Sequence, residues 1–345
     1  MGGPARARQN RFPKKGRHNS VLERDRQRGA SEVGSRGRPP LLSFVVICMS
    51  ISDVKYVCLG GCGAKAVVYF GFIKHVLTYC PSFLKNLSGG VGSSSGSLCT
   101  LALLLGVDID VACASCAHVT NLLEDFDVQG LLHSYGLNNG KRLREYICKQ
   151  LMLFGLAPDS TFETLRRLTG KDFRVCATNL RSRSPVLFSA ISTPNMSLRD
   201  AIYMSMCIPF LFQPHAIDED LYADGGLVRN VPFGVFPERE TLVLCLQDVD
   251  FPVLSLQQYA MSVVYCTFSS QYESFREYSL QNSSLTFEIP CAEESDTLSM
   301  SLDTRRIDSF FRIGYAHSLS RSSVDLLDVV AQVTFLLLRA RLLTR

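Results

Sequence analysis

The chain has 345 residues, of which 46% are hydrophobic and 20% charged, with a net charge of +4. That composition excludes a chain disordered throughout, and the length allows a core that needs no disulfide or metal staple. The 13 cysteines are odd in number and scattered, which argues against a disulfide framework and reads as a reduced, cytosolic protein.

Residues 1–38 carry eleven Lys or Arg against three acids, a local charge of +8 that leaves −4 on the other 307 residues. Residues 1–40 are rich in Arg, Gly, Pro and Ser and lack apolar periodicity. They read as a disordered basic tail, either merely solvated or able to touch acidic lipid or nucleic acid. Met49 is an alternative start. Pro39–Ser52 is uncharged for 14 residues and Val329–Leu338 for 10. Both fall short of the ~20 residues a spanning helix needs. The first has too long a basic leader for a signal peptide, and Arg6 stands where myristoylation requires Ser or Thr. Leu326, Val330, Val333 and Leu337 recur at helical spacing, which reads as a packed amphipathic helix.

Between these ends strands and helices alternate. Val54–Leu59 reads as a strand, followed by a glycine turn and a helix from about Ala66 to Tyr79. Asn86–Val91 reads as a strand, followed by a sharp turn and a helix to about Leu105. Helical patterns follow at Leu122–Leu132, Lys141–Leu153 and Phe162–Thr169, strands at Phe173–Thr178 and Val186–Ser189, a helix at Ser197–Met206 and a strand at Leu242–Gln247. The alternation predicts an α/β fold with a mainly parallel sheet.

Three motifs carry chemistry. Gly92-Ser93-Ser94-Ser95-Gly96 is a G-x-S-x-G pentapeptide between a strand and a helix, the sequence form of a nucleophile elbow, and it makes Ser94 a candidate nucleophile for acyl transfer. Upstream, Leu59-Gly60-Gly61-Cys62-Gly63-Ala64-Lys65-Ala66 offers backbone N–H groups at a helix start, which suit an anion. A nucleotide phosphate is one option, with Ala66 as the third position of a dinucleotide fingerprint, but no acid follows about 20 residues on and no Walker lysine is present. The oxyanion of an acyl intermediate is the other, favoured because Ser94 lies on the next strand–turn–helix unit. Downstream, Tyr222-Ala223-Asp224-Gly225-Gly226 places an acid on a tight turn, followed by Asn230-Val231-Pro232. Of the six histidines only His317 follows Asp224, and none sits in a motif. This favours activation of Ser94 by the Asp224 carboxylate directly. Cys113 and Cys116 form a lone C-x-x-C with no second pair to complete a zinc site, and read as buried small apolar residues.

The order of these motifs resembles the patatin-like phospholipases over about Val54–Pro232. Thr164–Asn179 and Ala201-Ile202-Tyr203-Met204-Ser205-Met206-Cys207-Ile208-Pro209-Phe210 look like two connecting segments of the same family. The resemblance implies a three-layer α/β/α fold, with 41–240 as catalytic core and 241–345 as the C-terminal part of the same domain, a strand plus mainly helices. It implies a Ser94–Asp224 dyad, an oxyanion hole at Gly61, Cys62 and Gly63, and a lipid ester substrate, with Lys65 a candidate contact for a headgroup phosphate. It implies no metal or cofactor, and a cytoplasmic enzyme peripheral to membranes. The chain departs from the family's G-G-G-x-[RK]-G loop at Cys62 and Ala66, and Ser95 stands where small residues such as alanine are usual. Cysteine at 62 fits an oxyanion loop only if its φ is negative. These departures motivate a second reading, a catalytically impaired member that binds lipid or a partner.

Overall fold

The computed structural model describes residue 51 and residues 53–116, 127–247, 256–282, 285–291 and 302–318. The basic segment 1–40, the C-terminal run 329–338 and nearly all of the apolar run 39–52 lie outside them. In chain order, β1 (Tyr56–Leu59) leads through a 3-10 turn (Gly63–Ala66) into α1 (Val67–Tyr79), and the short α2 (Phe83–Asn86) precedes β2 (Gly89–Ser93) and α3 (Ser95–Leu104). Then come α4 (Ile109–Cys116), α5 (Val128–Ser134), β3 (Gly136–Asn138), α6 (Lys141–Leu153), α7 (Phe162–Thr169), β4 (Asp172–Asn179) and β5 (Ser184–Ser189). They are followed by α8 (Leu198–Met206), β6 (Phe210–Phe212), β7 (His215–Ile217), β8 (Asp220–Asp224), α9 (Gly226–Arg229) and β9 (Thr241–Leu246). The described chain closes with α10 (Leu256–Ser269), α11 (Tyr272–Gln281), β10 (Thr286–Ile289) and α12 over residues 304–318.

Local chemistry explains the helices the sequence marked best. Leu143, Ile147 and Leu151 of α6 recur every four residues and are buried on one face. In α7 the Thr161 hydroxyl accepts the Thr164 N–H at 3.1 Å, and Gly170 in the left-handed region ends the helix by donating to Arg166 O.

The main sheet has strand order β10-β9-β1-β2-β4-β8-β7, with β5 on the remaining edge of β4. Strands β10, β9, β1, β2 and β4 are mutually parallel, while β5 and β8 run antiparallel to β4. A separate parallel pair joins β3 and β6. Alternation along the strands divides the core in two. Val57 and Leu59 face a large cluster formed with α1, α3, α6 and α8. Cys58 and Val91 face a smaller cluster with Val231, Phe236, Phe275 and Tyr278. The result is a three-layer α/β/α arrangement around a mainly parallel sheet.

Two expectations shift. The strand expected at Asn86–Val91 begins at Gly89, because Asn86 closes α2. Consecutive glycines carry little strand propensity, yet β2 needs them: a Cβ on Gly90 would lie 2.7 Å from the side chains of Thr100 and Val57. Of the helix expected at Leu122–Leu132, the described part is α5, and residues 117–126 lie outside the described set.

The pairing of β4 decides where the site forms. Its first half pairs with β2, ending at Ser93↔Cys176. Its second half pairs on the same edge with β8, beginning at Asp224↔Ala177, since β5 already lines the opposite edge from Arg174 to Asn179. Strands β2 and β8 therefore meet tip to tip. The residue leaving β2 is Ser94, and the last residue of β8 is Asp224.

Candidate active site

Ser94 stands between β2 and α3 with φ 50° and ψ −133°, a backbone conformation that a non-glycine residue holds only under constraint. The two elbow glycines provide it. A Cβ on Gly92 would fall 2.4 Å from Gly96 O, and one on Gly96 would fall 2.4 Å from Gly60 O, so the first turn of α3 can press against both β1 and β2. The Ser94 N–H donates to Ser205 Oγ at 2.8 Å, and Ser205 Oγ donates to Cys176 O at 2.5 Å. Ser97 Oγ donates to Ser94 O at 2.6 Å. The strained turn is thus held from α8, from β4 and from its own helix.

Ser94 Oγ donates to Asp224 Oδ2 at 2.7 Å. The other carboxylate oxygen, Oδ1, accepts the Gly226 N–H at 2.7 Å. The Asp224 backbone is fixed as well, its N–H donating to Cys207 O at 2.9 Å and its carbonyl accepting from Thr178 Oγ1 at 2.8 Å. Asp224 is 1% exposed, with no cation against it among the described residues. Burial pushes its carboxyl up from the ordinary 3.8 to about 7, against the opposing hydrogen bonds from Ser94 and the Gly226 N–H. A carboxylate with that proton affinity accepts a hydroxyl proton far more readily than an ordinary aspartate. Among the described residues no imidazole reaches Ser94 or Asp224. His215 is bonded to Arg144, and His75 pairs with Ser318.

The glycine loop lies against the elbow, with Gly61 packed on Ser94 Cβ. Cys62 has φ −146°, a conformation open to any side chain, while the positive φ of 54° falls on Gly63. Ala66 sits in the right-handed helical region. Neither departure from the family pattern strains the backbone. The three N–H groups expected to form an oxyanion hole differ in availability. That of Gly61 is shared between Asn230 O at 3.2 Å and Asn230 Oδ1 at 3.1 Å. That of Cys62 donates to Ser95 Oγ at 3.2 Å. That of Gly63, at the start of the 3-10 turn, has no acceptor among the described residues. Burial pushes the Cys62 thiol up to about 12, so it is a neutral packing group.

A pocket opens from Ser94, Gly63 and Ala64 and runs between α3 and α6, its wall formed largely by Leu98, Leu143, Tyr146, Phe154, Ile208 and Phe212. Its free space is about 680 Å³ with the mouth included. It is a narrow apolar slot. Lys65 is half-buried in the 3-10 turn and is not on that wall. Cys113 and Cys116 are buried on α4, Cys116 against the pocket, and burial raises both thiols. No cluster of metal-binding side chains occurs among the described residues, and no described helix is long and apolar enough to cross a membrane.

A family model for patatin-like phospholipases matches residues 57–237, more than half of the chain, a span that includes the glycine loop, Ser94 and Asp224. The chain belongs to the patatin-like phospholipase family. This patatin-like chain is 26% identical over 203 residues to the uncharacterised protein R571 of Acanthamoeba polyphaga mimivirus, covering 55% of this chain and 64% of that protein. It is 25% identical over 156 residues to the probable lipid hydrolase 463L of Invertebrate iridescent virus 6, covering 44% of this chain and 54% of the relative. The matched region thus spans less than two thirds of either viral protein. Among solved structures, VipD from Legionella pneumophila superposes with a TM-score of 0.56 at 18% identity, covering 80% of this patatin-like chain and 67% of VipD. That likeness is one of fold.

Sequence reading left four polar residues of the site without a role: Thr178, Ser205, Asn230 and Gln271. Ser205 stands in the connecting segment 201–210, where a small polar residue inside a buried helix was its signal, and Asn230 stands in the stretch that follows Asp224. Thr178 and Gln271 carry no local signal, because the Asp224 carbonyl and the α9 groups they bond lie more than forty residues away in sequence.

Proposed function

We propose that the protein is a lipid acyl hydrolase of phospholipase A or lysophospholipase type, acting through a Ser94–Asp224 dyad. The observation that carries this reading is the 2.7 Å hydrogen bond from Ser94 Oγ to a buried aspartate at the mouth of an apolar slot. Asp224 takes the proton of Ser94 Oγ as that oxygen attacks the ester carbonyl. The tetrahedral oxyanion is held by the Gly63 N–H and by the Cys62 N–H, which turns to it from Ser95 Oγ. Losing one such donor typically costs about 10²–10³ in rate. Asp224 returns the proton to the departing alcohol, leaving an acyl ester on Ser94. Water, deprotonated by Asp224, then releases the fatty acid and regenerates the serine. The acyl chain lies along Leu98 and Tyr146, and the headgroup stays outside, where Lys65 can meet a phosphate. An ester drawn from a bilayer requires docking at a membrane surface, so the enzyme acts as a peripheral protein on cytoplasmic membranes. The basic tail would add attraction to anionic lipid.

The competing reading is a lipid-binding protein with impaired catalysis. It is favoured by the occupied N–H groups of Gly61 and Cys62. Release of fatty acid from phospholipid vesicles by the purified protein, abolished in Ser94→Ala, supports the hydrolase. Lipid binding with no release by the wild type supports the alternative.

A further inference from the structure

Gln271 lies beyond the family match, at the N-terminal end of α11, yet its side chain reaches the turn that carries Asp224. Helix α9 has only four residues and cannot satisfy its own end groups. Gln271 serves both ends. Its Nε2 lies 2.8 Å from the carbonyl oxygens of Gly226 and Leu227, and equally near Thr267 O behind it. Its Oε1 accepts the Asn230 N–H at 2.7 Å. Asn230 in turn clasps Gly61 on both sides, accepting its N–H and donating Nδ2 to its carbonyl at 3.4 Å. At the other end of α9, the Gly226 N–H holds the Asp224 carboxylate. One amide therefore ties together the segment bonded to the base and the segment that grips the glycine loop.

We infer that Gln271 is a positioning residue for catalysis. It keeps Asp224 and the Gly61–Gly63 loop in a common frame around Ser94. This rests on the Ser94–Asp224 reading. A residue that merely caps α9 would affect stability alone, whereas a positioning residue acts on the chemical step.

The test uses the full chain with Gln271→Met, which keeps the length and removes the polar contacts, and Gln271→Glu, which keeps the acceptor for Asn230. For Gln271→Met the expected result is a fall in kcat of about 10–100-fold with KM changed by less than about twofold, because small misplacements act on the chemical step. The amides of Gly61 and Asn230 exchange faster with solvent in that variant. Gln271→Glu is expected to recover part of kcat and to move the acidic limb of the rate profile to higher pH, since its charge opposes ionisation of Asp224. A kcat for Gln271→Met within about twofold of an active wild type overturns the inference. If Gln271→Met fails to fold, the plateau kcat of Gln271→Glu decides, and a value within about twofold of wild type overturns the inference. If the wild type neither hydrolyses esters nor labels at Ser94, the functional reading has failed instead. Amide exchange at Gly61 then judges the latch alone, and unchanged protection refutes it.

Discussion

The two faces of the sheet treat the site in opposite ways. On the face of α3, α6 and α8 a slot lined by Leu98, Leu143, Phe154 and Phe212 leads to Ser94 and offers a ligand hardly any polar atoms. On the face of α9 and α11 the contacts nearest the site are hydrogen bonds, from Gln271 through Asn230 to Gly61 and from Gly226 to Asp224. On the proposed function, one face would hold the substrate by burying apolar area, which tolerates variation in shape. The other holds the reacting groups by directional bonds, which do not. The proposed nucleophile and base, Ser94 and Asp224, sit on the boundary, where the tips of β2 and β8 meet along β4.

If this division is right, substitutions sort by face. The largest effect is expected at the boundary itself: Ser94→Ala and Asp224→Asn each lower kcat by at least about 10³-fold, measured on a soluble ester. Next comes the slot. Leu98→Trp would shorten it, so the advantage of each added methylene, worth about 0.8 kcal/mol when buried, is lost for long acyl chains and kept for short ones. A series of ester chain lengths reads this as a break in kcat/KM, and equal losses at every length would erase the distinction between the faces.

Titration of Asp224 sharpens the comparison. The base form must be ionised, so kcat/KM should fall as pH drops below about 7, the value to which burial raises this group. The folded carboxyl binds its proton more tightly than the unfolded one. Its contribution to stability is therefore present below pH 4 and is lost as pH rises through 7. Asp224→Asn keeps an acceptor for the Gly226 N–H and removes the buried charge. It should be more stable than wild type at pH 8, on the order of 4 kcal/mol, with the gap closing towards pH 4. Thermal melts across that range check the sign. The smallest effect is expected at Ser95. Ser95→Ala releases the Cys62 N–H for the oxyanion and should raise kcat by no more than about tenfold, less than the full worth of a donor.

Much of this architecture was legible because it is local. The elbow, the glycine loop, α6 and α7 each announce themselves within a dozen residues through glycine spacing, apolar periodicity and caps. The strand β8 was not legible, since Asp220–Asp224 begins and ends on an acid and becomes a strand only by pairing with the far half of β4. The same holds for Gln271, whose partners on and beside α9 lie more than forty residues away in sequence. The approach of Ser94 to Asp224 follows from a register, and registers are set by tertiary pairing that local composition does not encode. Position 62 was legible as a question, and its φ of −146° answers it.

The most direct test of the central claim is active-site labelling with a fluorophosphonate, comparing wild type, Ser94→Ala and Asp224→Asn by intact mass. The account predicts one adduct on the wild type at Ser94, none on Ser94→Ala, and strongly slowed labelling of Asp224→Asn. An unlabelled wild type, or an adduct that persists in Ser94→Ala, would contradict it.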